Sequence, residues 1–206
     1  ILYIRKMTDI TRKFLPMILL GDSQVGKTSL SLKAVNNEFN EDTLSTAGKE
    51  VYEKKVNVEG HDIKIKIHDT AGQERYRSIA LSSIRNALGI VLVYAINKKE
   101  TFETLNQWIE QINNADKSKP IILVGNKCDL SESREVTYEE GEKYASEHGF
   151  HFYECSAKNG DNIDKAFDDI ILQMYKKHEK EFIPTENIRI SKSNYEKEKG
   201  KKRSKC

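Results

Sequence analysis

Short apolar runs alternate with longer amphipathic stretches along most of this chain. The runs Ile90–Ile96 and Ile121–Gly125 are almost continuously apolar, which is typical of central parallel strands covered on both faces. The stretch Ile63–His68 instead alternates isoleucine with lysine or histidine, the period-2 pattern of a half-buried strand. Because Val51–Val58 precedes it across the turn Glu59-Gly60, we predict a β-hairpin here.

Four further stretches have the apolar spacing of amphipathic helices, at residues 28–37, 101–113, 137–148 and 162–177. Two shorter strands are predicted at residues 17–20 and 150–154. Repeated alternation of strand and helix predicts a three-layer α/β fold, in which helices cover both faces of a mostly parallel six-stranded sheet.

The composition indicates a polar globular chain. Of its 206 residues, 37% are hydrophobic and 32% are charged, and this length fits one domain with an extension. The chain has no run of about 18 apolar residues and no apolar segment typical of a signal peptide, so we expect neither a membrane-spanning helix nor secretion. The three cysteines, Cys128, Cys155 and Cys206, lack a zinc-binding spacing and suit a reducing cytosol.

Charge is unevenly distributed near the carboxyl end. The stretch from Ser191 to Cys206 has two acidic residues and seven basic ones, namely Lys192, Lys197, Lys199, Lys201, Lys202, Arg203 and Lys205. Apolar periodicity also ends near Glu181. We therefore predict a globular domain over residues 13–180 and a flexible basic tail over residues 181–206. Residues 1–12 are predicted to be an N-terminal extension. Met7 is a candidate natural start, and the residues before it, 1–6, are either added residues or a short natural extension.

The segment Gly21-Asp-Ser-Gln-Val-Gly-Lys-Thr28 lies between a predicted strand and a predicted helix. In that context its glycines let successive backbone N–H groups point inward around an anion, and the following helix adds its positive end. Lys27 would reach the β- and γ-phosphates, and the Thr28 hydroxyl would bind Mg²⁺. The pattern predicts a P-loop NTPase fold and, taken alone, fits ATPases and kinases equally well.

A second candidate segment, Asp69-Thr-Ala-Gly-Gln73, ends the alternating strand. A carboxylate at a strand end suits a contact to Mg²⁺, which Asp69 would make directly or through water. The N–H of Gly72 would face the γ-phosphate, and Gln73 could orient an attacking water. An ordinary turn is the alternative for this segment.

Two later segments favour guanine as the base. Asn126-Lys-Cys-Asp129 follows a buried strand, and the Asp129 carboxylate could accept hydrogen bonds from N1 and the exocyclic amine of guanine, a donor pair that adenine lacks. Ser156-Ala-Lys158 follows the last strand, and its backbone could hold the guanine oxygen. Each string is common in loops when it occurs alone. Their order and their placement at the carboxyl ends of strands together predict a guanine-nucleotide site.

With these segments, the stretch from Phe14 to Lys177 resembles the Ras superfamily of small GTPases, and most closely its Rab branch. The matching strings are GDSQVGKT, Thr46 in STAG, DTAGQERYRS, NKCD and ECSAK. The resemblance implies that Thr46 binds Mg²⁺ and contacts the γ-phosphate, and that Gln73 is the catalytic glutamine. It also implies that Phe39 packs against the guanine edge, for which an ordinary core phenylalanine is the alternative.

The resemblance implies three metal ligands, Thr28, Thr46 and Asp69. The residues that it implies for nucleotide binding are Ser23, Gln24, Val25, Gly26, Lys27, Thr28, Ser29, Phe39, Thr46, Gly72, Asn126, Lys127, Asp129, Ser156, Ala157 and Lys158.

Several positions depart from the Rab pattern. Gln24 replaces a glycine that is usual in Rabs, so we expect the loop geometry or nucleotide exchange to differ. Val51, His68 and either Ser83 or Ile84 stand where Rabs carry the aromatic residues of an effector-binding surface. For His68, a solvated strand residue is the alternative.

The predicted function is a membrane-trafficking switch that binds GTP or GDP with Mg²⁺ and hydrolyses GTP. No arginine finger is evident within the chain, so intrinsic turnover should be on the order of 10⁻⁴ to 10⁻³ s⁻¹ and should be raised by a GTPase-activating protein. The alternatives are a signalling GTPase of the Ras type, a non-hydrolysing pseudo-GTPase scaffold, and a P-loop ATPase or small-molecule kinase.

The resemblance and the tail together imply partners and a location. Exchange factors, GTPase-activating proteins and effectors would bind the switch regions of a monomer, and no nucleic-acid partner is expected. Cys206 follows the basic run Lys201–Lys205, which suits a prenyl group supported by a polybasic patch. The protein is therefore expected in the cytoplasm and, reversibly, on the cytosolic face of an endomembrane. A solubilising tail or a nucleic-acid or nuclear-import patch is the alternative for this run.

Overall fold

The computed structural model describes residues 14–39, 49–70 and 77–181. Its strands are β1 Phe14–Leu20, β2 Lys49–Val58, β3 His61–Thr70, β4 Gly89–Ala95, β5 Ile121–Asn126 and β6 His151–Cys155. They form one sheet in the order β2-β3-β1-β4-β5-β6. The β2–β3 pairing is antiparallel and the other four pairings are parallel. The predicted mostly parallel six-stranded sheet is confirmed.

The predicted β-hairpin is also confirmed. Its turn residues, Glu59 and Gly60, have φ angles of +50° and +85°, the left-handed backbone that suits a two-residue hairpin turn. Val58 then faces His61 in the β2–β3 register.

The helices are α1 Lys27–Asn36, α2 Arg77–Asn86, α3 Lys99–Glu103, α4 Leu105–Asp116, α5 Tyr138–His148 and α6 Ile163–His178. The prediction of one continuous helix over residues 101–113 is wrong, because the helix is interrupted at Thr104. The hydroxyl of Thr104 lies 3.2 Å from the carbonyl oxygen of Thr101 and donates to the Asp22 carboxylate at 2.7 Å. Side-chain bonds of this kind compete with regular helical hydrogen bonds.

The core lies on both faces of the central strand β4, all of whose residues are buried. On one face Ile90, Leu92 and Tyr94 belong to a cluster that includes Leu105 and Trp108 near the start of α4. On the opposite face α6 packs so closely that a Cβ at Gly89 would overlap Met174. Coverage on both faces explains why β4 is continuously apolar in sequence.

The candidate motifs meet at one edge of the sheet, because β1, β3, β4, β5 and β6 run parallel and their carboxyl ends lie together. β1 ends immediately before Gly21, and β3 ends one residue after Asp69. β5 ends at Asn126, and β6 ends immediately before Ser156. This is the edge at which open α/β sheets bind ligands.

Residues Phe14–Lys176 form one packed unit, and a second unit comprises residues 1–13 and 177–206. Of the second unit the structure describes residues 177–181, where a 3₁₀ turn, Glu179–Glu181, follows the end of α6. The domain boundaries drawn at residues 13 and 180 stay predictions. None of the described helices combines the length and the hydropathy that crossing a bilayer requires.

Candidate functional site

Two glycines give the phosphate loop (residues 21–28) its shape. Gly21 has a φ of +140° and Gly26 has a φ of +92°, both in the region that favours glycine. A Cβ at Gly21 would overlap the carbonyl oxygen of Val93, and a Cβ at Gly26 would overlap the side-chain amide of Asn126. The spacing of the two glycines is therefore required by packing against β4 and β5 as well as by the curvature of the loop.

Lys27 is the first residue of α1, and only 5% of it is exposed. Its ammonium group donates to the carbonyl oxygens of Gly21, at 2.8 Å, and Asp22, at 2.7 Å. Burial lowers the pKa of Lys27 to about 8, and the negative charges of Asp69 and Asp22 oppose this shift. A buried cation at the N-terminus of a helix favours an anionic ligand.

Thr28 and Asp69, two of the three predicted metal ligands, are in direct contact. The Thr28 hydroxyl donates to Oδ2 of Asp69 at 2.5 Å, and Asp69 is fully buried. Hydroxyl and carboxylate oxygens are hard donors of the kind that Mg²⁺ takes, and Mg²⁺ usually binds through one or two such groups with substrate phosphates. The residues present therefore fit a magnesium ion next to the phosphate loop.

Gln24 is exposed at the tip of the loop and has a φ of +64°. A residue with a Cβ adopts this left-handed conformation at a cost of about 1–2 kcal/mol. The backbone at Gln24 thus keeps an angle suited to glycine, and the expectation that the loop geometry or nucleotide exchange differs stays a prediction.

Asn126, at the end of β5, joins the phosphate loop to the last loop of the sheet. Its side-chain amide donates to the carbonyl oxygen of Val25 at 2.8 Å, and its side-chain oxygen accepts from the N–H of Ala157 at 3.3 Å. Only 1% of Asn126 is exposed, so both bonds form in a site shielded from water. We call residues 126–129 and 156–158 the base loops.

The base loops are held together by side chains. The Ser156 hydroxyl donates to Oδ1 of Asp129 at 2.6 Å and accepts from the N–H of Asn159 at 3.0 Å. Lys127 has a φ of +67°, and burial lowers its pKa while the charge of Asp129 opposes that shift. This arrangement orients the carboxylate of Asp129 at the sheet edge.

A salt bridge that sequence reasoning missed supports the base loops from behind. Arg134 binds Glu154 in a bidentate pair, with N–O distances of 2.5 and 2.9 Å. The hydrogen bond to Glu154 is the main reason why the pKa of Arg134 is raised. The pair links the segment after Asp129 to the strand that precedes Ser156. No local pattern indicates it, because the partners are 20 residues apart.

Asp22 is a second residue of structural importance that sequence reasoning missed. Its carboxylate accepts hydrogen bonds from Thr104 and Trp108, which lie 82 and 86 residues later. The Gly-x-x-x-x-Gly pattern leaves its position unconstrained, so the motif carries no signal for this contact.

The other predicted site residues are placed as follows. Ser23 and Ser29 are partly exposed, Val25 and Ala157 are buried, and Lys158 is exposed. Phe39 lies beyond the end of α1 and is 37% exposed, which does not fit the alternative of a core phenylalanine. Thr46, Gly72, Gln73 and Cys206 lie outside the described residues.

The effector-binding surface expected from the Rab pattern is only partly present. Val51 is 47% exposed, and the neighbouring His68 is partly buried. Neither Ser83 nor Ile84 can contribute, because they are only 5% and 0% exposed. The prediction that one of them lies on this surface is wrong, since α2 turns that side toward the core, where Ile84 joins the cluster of β4 and α4.

The sheet order, with the phosphate loop and the base loops joined by Asn126, is that of the P-loop GTPase fold. The Ras family model matches residues 16–176. Ras-related protein Rab11A of Lotus japonicus is 40% identical over 160 residues, which cover 77% of this chain and 71% of that protein. Ras-related protein Rab-13 of Bos taurus is 41% identical over 162 residues, covering 76% and 80%. Ras-related protein Rab-11A of Dictyostelium discoideum is 42% identical over 160 residues, covering 77% and 75%.

The chain belongs to the Ras family of small GTPases, in its Rab branch. It is accordingly a nucleotide-binding protein that hydrolyses GTP to GDP and phosphate, with the membrane-trafficking role of that branch. The resemblance drawn from the sequence motifs is confirmed, and the alternative of an ATPase or small-molecule kinase is wrong.

Proposed function

We propose that the base loops bind guanine and that the phosphate loop binds the phosphates of GTP and GDP. The observation that carries this proposal is the Asn126 side chain, which bonds to Val25 and Ala157 and so joins both parts of the site. Asp129, oriented by Ser156, accepts hydrogen bonds from N1 and the exocyclic amine of guanine. The backbone of residues 156–158 faces the guanine oxygen, and Phe39 covers the edge of the base.

Lys27 supplies the charge for the β- and γ-phosphates. Its side chain is buried against the loop carbonyls, so its charge interacts with phosphate in a poorly solvated site, where electrostatic stabilisation of the transition state is strongest. The backbone N–H groups of residues 23–29 complete the phosphate contacts.

The hydroxyl of Thr28 and the carboxylate of Asp69 would hold Mg²⁺ together with Thr46, and the bound ion would neutralise charge on the phosphate oxygens. Gln73 orients the attacking water, and the N–H of Gly72 contacts the γ-phosphate. We expect intrinsic hydrolysis to be slow, on the order of 10⁻⁴ to 10⁻³ s⁻¹, because no arginine finger is evident among the sequence motifs.

We further propose that the protein is a monomer that cycles between the cytoplasm and the cytosolic face of an endomembrane. Cys206 carries a prenyl group, and the basic residues before it supply the second membrane-binding signal. Exchange factors, GTPase-activating proteins and effectors bind the switch regions. Mass spectrometry of the protein from cells tests the lipid, and a Cys206→Ser variant should lose membrane association.

The base assignment is tested by Asp129→Asn. The new amide would face the exocyclic amine of guanine with its own donor, whereas it could pair with the 2-oxo group of xanthine. We expect GDP affinity to fall by roughly a hundredfold and affinity for xanthosine diphosphate to rise. Glu132→Gln is an exposed change in the 3₁₀ turn Cys128–Ser133, which also contains Asp129, and it should change neither affinity. Unaltered base preference in Asp129→Asn would contradict the assignment.

A further inference from the structure

Both carboxylate oxygens of Asp22 are bonded to one segment far along the chain. Oδ2 accepts from the Thr104 hydroxyl at 2.7 Å, and Oδ1 accepts from the indole N–H of Trp108 at 2.9 Å. The backbone carbonyl of Asp22 accepts from the Lys27 ammonium at 2.7 Å. Asp22 therefore connects the α3–α4 segment, through its side chain, to the phosphate-binding lysine, through its backbone.

The two donors are themselves fixed relative to the sheet. Trp108 is 7% exposed and belongs to the core cluster with Leu105. Thr104 lies at the break between α3 and α4, one turn after Thr101, whose buried hydroxyl accepts from the N–H of Ala95 at 3.0 Å. The segment is thus attached to the end of β4, and it presents a hydroxyl and an indole N–H to a loop that begins at the end of β1.

We propose that Asp22, Thr104 and Trp108 are positioning residues for the phosphate loop, and that this anchor slows nucleotide release. The proposal rests on the phosphate-binding role proposed above for that loop. A shift of Asp22 would displace its carbonyl from Lys27 and redirect the N–H groups that follow. The Asn126 bond to Val25 does not involve Asp22, so the base loops should keep their selectivity when the anchor is lost.

The anchor is tested by removing one donor at a time. Thr104→Val removes the hydroxyl, and Trp108→Phe removes the indole N–H while keeping an aromatic ring in the core. The rate of release of N-methylanthraniloyl-GDP, followed by fluorescence with the full chain and Mg²⁺, should rise roughly tenfold in each variant, as expected for a lost hydrogen bond to a charged group. Thr104→Ser retains a hydroxyl and should keep the wild-type rate.

Tyr144→Phe is the matched control. It removes a hydroxyl bond to the same helix, from Tyr144 to the side-chain oxygen of Asn106 at 2.8 Å, without touching the phosphate loop. Its release rate should equal that of the wild type. The ³¹P signal of the β-phosphate of bound GDP should shift in Thr104→Val and stay unchanged in Tyr144→Phe.

A double-mutant cycle separates the anchor from general destabilisation. If Asp22 and Thr104 act through their mutual bond, Asp22→Ala with Thr104→Val should release GDP no faster than Asp22→Ala alone. Wild-type release rates in both donor variants, or fully additive effects in the cycle, would overturn the proposal. If Trp108→Phe fails to fold, the comparison of Thr104→Val with Thr104→Ser tests the proposal by itself.

Failure of the proposed function would be recognised separately. In that case the wild-type protein would not bind the fluorescent GDP, or Asp129→Asn would leave base preference unchanged. A wild type that binds GDP through Asp129, with donor variants that behave like Tyr144→Phe, would overturn the anchor alone.

Discussion

The phosphate loop and the base loops meet at the same sheet edge but are built in different ways. The phosphate loop depends on backbone angles, with positive φ at Gly21, Gln24 and Gly26, and on a buried lysine. The base loops depend on side chains that hydrogen-bond from one loop to the other, from Ser156 to Asp129 and through Asn126. Changes in the phosphate loop should therefore weaken the binding of all nucleotides alike. Changes in the base loops should alter which base is preferred.

The largest effect should come from Lys27→Met, which removes the buried charge of the phosphate loop. We expect affinity for GDP and GTP to fall by more than about a hundredfold, because several charge-assisted contacts are lost at once. Lys33→Met, a change at a partly exposed lysine later in the same helix, should bind normally. Fluorescence titration measures the nucleotide affinity of both variants. An altered base preference in Lys27→Met would contradict the proposal that the base loops alone select the base.

The second prediction concerns pH. Lys27 has a pKa lowered to about 8, and bound phosphate should raise it, so binding above pH 8 must take up a proton. GDP affinity should be insensitive to this group below about pH 7 and roughly tenfold weaker at pH 9. For the nucleotide-free protein, the free energy of unfolding should instead rise with pH between 8 and 10.5. In this range the unfolded chain keeps the lysine proton, whereas the folded protein loses it.

Calorimetry in two buffers of different ionisation enthalpy measures the proton uptake directly at pH 8.5. The Lys33→Met variant should take up the same number of protons as the wild type. Binding without proton uptake at this pH would show that the Lys27 ammonium is not the group that meets the phosphates.

A smaller effect is expected from Arg134→Gln, which breaks the support behind the base loops. The side chains of Arg134 and Glu154 are only 26% and 12% exposed, so we expect the free energy of unfolding of the GDP-bound protein to fall by about 1–2 kcal/mol. Lys98→Gln breaks the more exposed pair with Glu100 and should cost less than about 0.5 kcal/mol. Urea unfolding measures the free energy of unfolding of both variants. Equal losses would show that the Arg134–Glu154 pair stabilises the protein no more than an exposed ion pair does.

The smallest effect is expected from Gln24→Gly in the phosphate loop. Relief of the left-handed strain should exceed the added freedom of the unfolded chain, which gives a net gain of about 0.5–1 kcal/mol. The melting temperature should therefore rise by about 1–4 °C. Asn37→Gly, at the left-handed end of α1, should gain less because asparagine tolerates this conformation. A lower melting temperature in Gln24→Gly would mean that its side chain stabilises the loop.

Much of the fold could be predicted because its signals are local. The continuous apolar run of β4 follows from burial on both faces, and the alternation of β3 follows from its half-buried position in the sheet. The interruption at Thr104 could not be predicted, since apolar spacing is the same on both sides of it. At this position the Thr104 hydroxyl bonds to Asp22, which lies 82 residues earlier in the chain.

The same distinction applies to the site. Lys27, Thr28, Asn126 and Asp129 stand in short motifs at strand ends, so their chemistry can be inferred from the order of residues alone. The supports of these motifs, such as Trp108, Arg134 and Glu154, lie outside them and are recruited by the path of the chain through space. Ser83 and Ile84 illustrate the converse, because a match to a family position does not determine which way a helix faces.

Selection of guanine nucleotides and slow hydrolysis of GTP are the two properties that we propose for this site. The most direct measurement is to heat-denature the purified full chain and identify the released nucleotide by ion-exchange chromatography. The wild-type protein should release one GDP per protein molecule. Release of an adenine nucleotide would contradict it, because Asp129 would then not be the residue that selects the base.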